Sequence, residues 1–239
     1  FASVFSQHSL SFLEVHKCPA YKIASFEITD TNLIRKVART AKPVVISTGA
    51  ASINDIDQAM ACINPDNTIL LHCVSAYPTK LEQANLWRIN ELKKLYKIPV
   101  GFSDHTRGLI AGPLACAMGA VMIEKHLAVP YVDTEDRAFS LHPDEFECYV
   151  IRCRAAAAAT FKTEVPDEED SKQFRRSIYI VKDVSKGDLL TWHNVKAIRP
   201  SYGMPAQKLY MLTSSGYQFK MDLKAGTALK EEHIHPCAR

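Results

Sequence analysis

YKIAS at residues 21–25, PVVIS at 43–47, TILLHCV at 68–74, IPVGFS at 98–103 and AVMIEK at 120–125 decide how this sequence is read. Each is a short apolar run without polar alternation, the pattern of a strand buried on both faces of a parallel sheet. The segments between them have helical spacing instead. Ser52 is a candidate N-cap with Asp55 three residues on, and Ile53, Ile56, Met60 and Ile63 form one apolar stripe. Leu33, Ile34, Val37 and Ala38 do the same within 30–41, as do Leu86, Ile89, Leu92 and Leu95 within 84–95. With FASVF at 1–5 as the tail of an earlier strand, six strands alternate with helices, the signature of βαβ units. Polar and reactive residues fall just after the runs: Ser25 and Glu27, Ser47 to Gly49, Ser75 and Tyr77, Ser103 to His105, and His126. Such placement after every strand predicts a barrel whose site sits at the strand C-terminal ends. An open doubly wound sheet would gather them only at a switch point.

The length frames this pattern. A complete (β/α)8 barrel takes about 250 residues, so the 239 residues here cannot hold one together with a second domain. The strand pattern nevertheless stops near residue 125 and another begins. A long helix is expected over 143–162, opening Pro-Asp-Glu and containing five consecutive Ala. An acidic linker is expected at 163–173, and from 174 onward short strands with Lys-Gly and Lys-Ala-Gly corners predict a small β-rich domain to 239. The expected fold is therefore α/β, a partial (β/α)8 barrel over 1–162 that holds about the last six strands, with the chain entering in mid-fold at Phe1. A net charge of +3 gives no reason to expect a nucleic-acid or membrane-surface partner. Seven Cys without a CxxC pair read as reduced thiols, and no signal peptide or apolar span is visible, so a cytoplasmic location is expected.

His105 and His126 each follow a buried strand, so a barrel would aim both imidazoles at one mouth. Two His with carboxylates nearby suit a divalent metal with open positions; two unrelated hydrogen-bonded His are the other reading. Lys22, Ser25, Ser47, Thr48, Gly49 and Ser103 supply a cation, hydroxyls and backbone N–H groups for a phosphate or carboxylate. A buried Lys22 also suits a Schiff-base nucleophile. Glu27 and Asp136 are candidate acid/base groups or, alternatively, solvated loop charges.

These residues carry a resemblance. The runs KIASFE (22–27), ISTG (46–49), SAYP (75–78), GFSDHT (101–106) and IEKH (123–126) resemble the strand-end motifs of the sialic acid synthase family, in the same order. The segments RRSI (175–178), KDVSKG (182–187) and IRP (198–200) resemble the family's C-terminal antifreeze-like (SAF) domain. Within the family, ASFE (24–27), SAYP, DRAFSL (136–141) and RPSYGM (199–204) look most like the pseudaminic acid synthases.

The resemblance implies condensation of phosphoenolpyruvate with the open-chain aldehyde of an N-acetylated amino sugar, giving a nine-carbon 2-keto acid and phosphate. By motif match, His105 and His126 would ligate Mn²⁺ or a similar divalent ion. Lys22, Ser25, Ser47 and Ser103 would bind phosphoenolpyruvate, and Ser3 falls where the family usually has a Thr on the phosphate. Glu27 would be the carboxylate near the reacting centre. Ser75 would be substrate-binding, Tyr77 and Asp136 would line the sugar site, and Arg199 would reach the sugar of the other subunit in a homodimer with exchanged domains. Residues 127–135 lack the family's Gly-Pro turn, and LTSSGY at 212–217 replaces a more regular stretch. The family's first strands, with a further phosphate-binding Lys, are not in this sequence, so this stretch alone is expected to be inactive. N-acetylneuraminate or legionaminate synthesis is the neighbouring alternative, and a non-catalytic sugar-binding or subunit-interaction fragment is the alternative of another class.

Overall fold

Six strands of the first part of the chain form one wholly parallel sheet in strict chain order: β1 (Ala2–Ser3), β2 (Tyr21–Ile23), β3 (Val44–Ser47), β4 (Thr68–Cys73), β5 (Val100–Asp104) and β6 (Ile123–Lys125). This is a computed structural model, which describes residues 1–129, 132–160, 164 and 167–237. The intervening helices are α1 (Gln7–Val15), α2 (Thr31–Ala38), α3 (Ile53–Met60), α4 (Arg88–Tyr96) and α5 (Ala111–Ala117), with α6 (Pro143–Thr160) after β6. Among the described residues strand order never reverses, so the sheet has no switch point.

The sheet is also curled. In a flat sheet, four strand spacings of about 4.8 Å separate β2 from β6, more than two side chains can span. Lys22 on β2 nevertheless brings Nζ to 3.5 Å from Glu124 Oε1 on β6. The result is a barrel-like parallel sheet, which removes the doubly wound reading.

Strand alternation sorts the two faces. Ile23, Ile46, Leu70 and Phe102 join Ile34, Ile56 and Ile89 of the helices in one apolar core. Lys22, Ser47 and Ser103 each sit one residue from one of these, and Glu124 one from Ile123, which packs against the same core, so all four point to the inner face. That face is tight at Gly101, where a Cβ would lie 2.4 Å from the Met122 carbonyl oxygen.

Ser52 caps α3 in a reciprocal box with Asp55, and Asp30 caps α2. Helices α1 and α5 have no counterpart in the sequence reading. Helix α1 buries only Leu10, so no apolar stripe marks it. Helix α5 contains Gly112 and Pro113, residues that read as breakers, but both fall in its first turn, where a missing N–H costs nothing. Residues 161 and 162 of the expected long helix, and 163, 165 and 166 of the expected linker, lie outside the described residues. The rest of that linker includes one helical turn, α7 (Glu169–Lys172).

The chain divides into two units, Phe1–Lys162 and Thr163–Arg239. The second contains two antiparallel pairs, β7 (Ser177–Ile180) with β8 (Val195–Ile198) and β9 (Tyr217–Phe219) with β10 (Ile234–Pro236), plus α8 (Leu209–Ser214). It repeats itself internally. Residues 183–190 and 222–229 match in pattern, and Val184 and Leu223 exchange backbone hydrogen bonds of 2.9 Å each way. Gly187 donates to Phe219 O and Gly226 to Ile180 O, both at 2.8 Å. The Asp183 and Asp222 carboxylates each accept the backbone N–H of the other turn, from Ala225 at 2.9 Å and Lys186 at 2.8 Å. Both corner glycines sit near φ +91°, a conformation that costs other residues strain.

Candidate functional site

A cleft of about 330 Å³ opens at the C-terminal ends of the strands, and every strand of the sheet contributes to it directly or through the loop that follows. Ser3, Lys22 and Ser47 come from β1, β2 and β3, and Ser25 follows β2. Tyr77 follows β4, Ser103 and His105 lie on and after β5, and Glu124 and His126 lie on and after β6. Parallel pairing explains the convergence, since Ser3 is level with Lys22 and Ser103 with Glu124.

On one side of the cleft lies a set of donors. Glu124 Oε1 accepts the Ser103 hydroxyl at 2.7 Å and lies 3.5 Å from Lys22 Nζ, which is only 8% exposed. Ser25 Oγ accepts the Gly49 N–H at 3.1 Å and touches Cys73 Sγ at 3.2 Å, which ties together the ends of β2, β3 and β4. A Cβ at Gly49 would fall 2.3 Å from Ser75 Oγ, so only glycine lets this loop come so close. The hydroxyls of Ser47 and Ser75 and Oε2 of Glu27 are buried and have no hydrogen-bond partner among the described residues. Buried polar atoms of this kind are rare and call for a partner that the fold itself does not supply.

On the other side are the two imidazoles, 5.5 Å apart between ring centroids and steeply inclined. His105 Nδ1 lies 2.8 Å from the Val74 carbonyl oxygen. A carbonyl only accepts, so Nδ1 carries the hydrogen and Nε2 keeps its lone pair. Burial holds the His105 pKa below the usual histidine value, against the opposing pull of the Val74 bond. His126 Nδ1 faces Asp136 Oδ2 at 3.4 Å. Tyr77 stacks on His105 at 4.3 Å and Phe139 edges onto His126 at 4.9 Å, and burial pushes the Tyr77 phenol up. Both histidines thus engage Nδ1, the arrangement by which neighbouring groups orient metal-binding imidazoles, and His105 Nε2 lies 3.3 Å from the Ser103 hydroxyl, whose hydrogen is donated to Glu124. Among the described residues no third His, Cys, Asp or Glu completes a cluster with them.

The model of the NeuB family matches residues 1–164. This chain belongs to the NeuB family. A pseudaminic acid synthase of Helicobacter pylori is 38% identical to it over 98% of the chain and 71% of the relative. An N,N'-diacetyllegionaminic acid synthase of Legionella pneumophila is 31% identical over 96% of the chain and 67% of the relative. The crystal structure of a putative spore coat polysaccharide biosynthesis protein E from Chromobacterium violaceum, 26% identical, superposes with a TM-score of 0.70 over 98% of the chain and 73% of that structure. The two curated relatives of this NeuB-family chain named above are sugar acid synthases, and no described helix is long and apolar enough to cross a membrane.

Of the residues singled out from the sequence, Ser3, Lys22, Ser25, Ser47, Tyr77, Ser103, His105 and His126 line one cleft of the NeuB-family unit. Ser75 and Asp136 do not line it but neighbour residues at its edge, Ser75 against Gly49 and Asp136 against His126, and Glu27 follows Phe26 in the turn after β2 with Oε2 buried. Arg199 belongs to the second unit, at the end of β8. Sequence reading did not assign Glu124 or Phe139 to the site. The signal for Glu124 was its position, a carboxylate at the end of a strand run just before His126.

Proposed function

We propose that the cleft condenses phosphoenolpyruvate with the open-chain aldehyde of an N-acetylated amino sugar, as a pseudaminic acid synthase would. The supporting observation is the meeting, in one strand-end cleft, of a buried cation, serine hydroxyls of which that of Ser47 is buried without a partner among the described residues, and two imidazoles each oriented through Nδ1. Lys22 and the hydroxyls of Ser3, Ser25, Ser47 and Ser103 hold the phosphate and carboxylate of phosphoenolpyruvate, and Ser75 supports the loop beneath them. The ion pair with Glu124 suits Lys22 to holding anions and gives no support to a Schiff base.

The two imidazoles, pre-oriented through Nδ1, would hold a divalent ion such as Mn²⁺. When bound, such an ion supplies Lewis-acid polarisation of a carbonyl oxygen. Asp136 fixes the His126 ring through Nδ1, and Val74 fixes His105. Tyr77 and Phe139 wall the sugar side. Carbon 3 of phosphoenolpyruvate forms the new bond to the aldehyde carbon, whose oxygen takes a proton. Water adds at carbon 2, and phosphate leaves with C–O cleavage. Glu27 is assigned the proton transfer in these steps.

The second unit is read as the SAF domain, with Arg199 serving the sugar site of a partner subunit, and the activity as cytoplasmic. The test is phosphate release and product mass by the intact protein with phosphoenolpyruvate and a panel of acetamido sugar aldehydes. Release is expected only with both substrates and a divalent ion, and to drop at least a hundredfold (about 2.7 kcal/mol) in His105→Ala and His126→Ala. Release unchanged in both variants would overturn the assignment.

A further inference from the structure

Directly behind the two imidazoles, on the helix-facing side of the strands, lies a buried polar cluster that the reaction above does not use. Asp104 ends β5 and Lys125 ends β6, each immediately preceding one of the two histidines, and their side chains are 0% and 1% exposed. Asp104 Oδ1 accepts the N–H and hydroxyl of Thr106 at 2.8 and 2.7 Å. Its Oδ2 accepts the Tyr149 hydroxyl of α6 at 2.6 Å and lies 3.3 Å from Lys125 Nζ. Lys125 also donates to the Thr106 carbonyl, so the tip of β6 is tied to the loop that carries His105. Helix α5 leaves room for the hydroxyl, since a Cβ at Gly112 would lie 2.0 Å from it.

A fully buried ion pair contributes little net stability, because desolvation offsets most of the attraction. What this network supplies is therefore geometry. His105 is flanked by Asp104 and Thr106, and His126 follows Lys125, so the bonds that satisfy the carboxylate also fix the two strand tips relative to each other. We propose that Tyr149, Thr106, Asp104 and Lys125 form a positioning network that sets the separation of His105 and His126 for a shared divalent ion. The proposal rests on the metal reading above.

The experiment is Mn²⁺ binding to the intact protein, followed by electron paramagnetic resonance, with thermal unfolding measured alongside. Tyr149→Phe keeps the ring and removes the hydroxyl. Thr106→Val is isosteric and removes another bond to Asp104, whereas Thr106→Ser restores it. Tyr149→Phe and Thr106→Val are expected to weaken Mn²⁺ binding about tenfold, the scale seen for outer-shell partners of metal-binding His, and Thr106→Ser to bind as the parent does. Cys153→Ala, one turn further along α6 in the same apolar cluster, is expected to lower the unfolding temperature without changing Mn²⁺ affinity. Parent-like affinity in both Tyr149→Phe and Thr106→Val, with lowered unfolding temperatures, would reduce the network to a purely structural role. If Tyr149→Phe does not fold, the Thr106 pair decides alone. A parent protein that binds no Mn²⁺ would overturn the metal reading itself, and this inference with it.

Discussion

Among single residues, His72 shows how burial alone dictates chemistry. It sits on β4, 2% exposed, with Nε2 donating to the Ala84 carbonyl at 2.8 Å and Nδ1 buried without a partner. Burial lowers its pKa below the histidine value of 6.5, with the Ala84 bond pulling the other way. Between that depressed value and about 6.5 the unfolded chain therefore binds a proton that the folded chain refuses. Stability is then lost as pH falls below about 6.5, and the neutral side above it is the stable one. His72→Gln keeps an N–H for Ala84 and removes the titration, so its unfolding temperature should fall less than the parent's between pH 7 and 5. Equal slopes in thermal scans would refute this. Single residues were also where the sequence was most informative about the site, because strand periodicity alone placed Lys22, Ser47, Ser103 and both site histidines at strand ends. Glu124, Asp104 and Tyr149 were not legible as partners: Glu124 meets Lys22 across four strand spacings and Tyr149 meets Asp104 from a helix 45 residues away in sequence. No local spacing encodes such pairs.

At the level of elements, legibility followed amphipathicity and caps. Helices α2 and α3 have clear apolar stripes and polar N-caps, and both form where the spacing predicts. Helices α1 and α5 escaped notice because one buries a single side chain and the other is built of Ala, Gly and Leu that make no stripe. The cap of α3 is the part most directly testable. Ser52 Oγ accepts the Asp55 N–H at 3.2 Å, and Asp55 Oδ2 accepts the Ser52 N–H at 2.9 Å, so two orphan donors are satisfied together. The Ser52 hydrogen bonds also hold the Asp55 carboxyl below its usual range. Ser52→Ala should cost about 1 kcal/mol, read as a lower urea midpoint with unchanged slope. An unchanged midpoint would mean that α3 is held by its buried Ile56 and Ala59 and not by its cap.

For the whole molecule, the question is which parts have a core of their own. The first unit has one large cluster that runs from Val4 to Ala115, and its curled sheet ends at β1 and β6 among the described residues. The second unit has a separate cluster in which Ile178, Leu190, Val195, Phe219, Leu229 and Ile234 are all buried. The sequence revealed its β-rich character and the two similar glycine corners, but not that the corners pair with each other. Asp183, Gly187 and Leu190 align with Asp222, Gly226 and Leu229, and the exchanged backbone bonds show that the two stretches are structural counterparts. In that repeat Leu190 and Leu229 are equivalent: each donates its N–H at 2.8 Å to the opposite half, to Tyr217 O and Ile178 O, and each is at most 2% exposed. Domains of this size bury only about 60% of the surface of their unfolded chain, so a closed set of such contacts is what independent folding requires. Residues 163–239 produced alone should unfold in one cooperative thermal transition by circular dichroism. Leu190→Ala and Leu229→Ala should each cost about 2–5 kcal/mol and lower the transition by similar amounts, because each removes the same knob from one half of the repeat. A broad, non-cooperative melt would show that this core depends on the rest of the chain. Unequal losses in the two variants would show that the repeat is shared by the backbone but not by the packing.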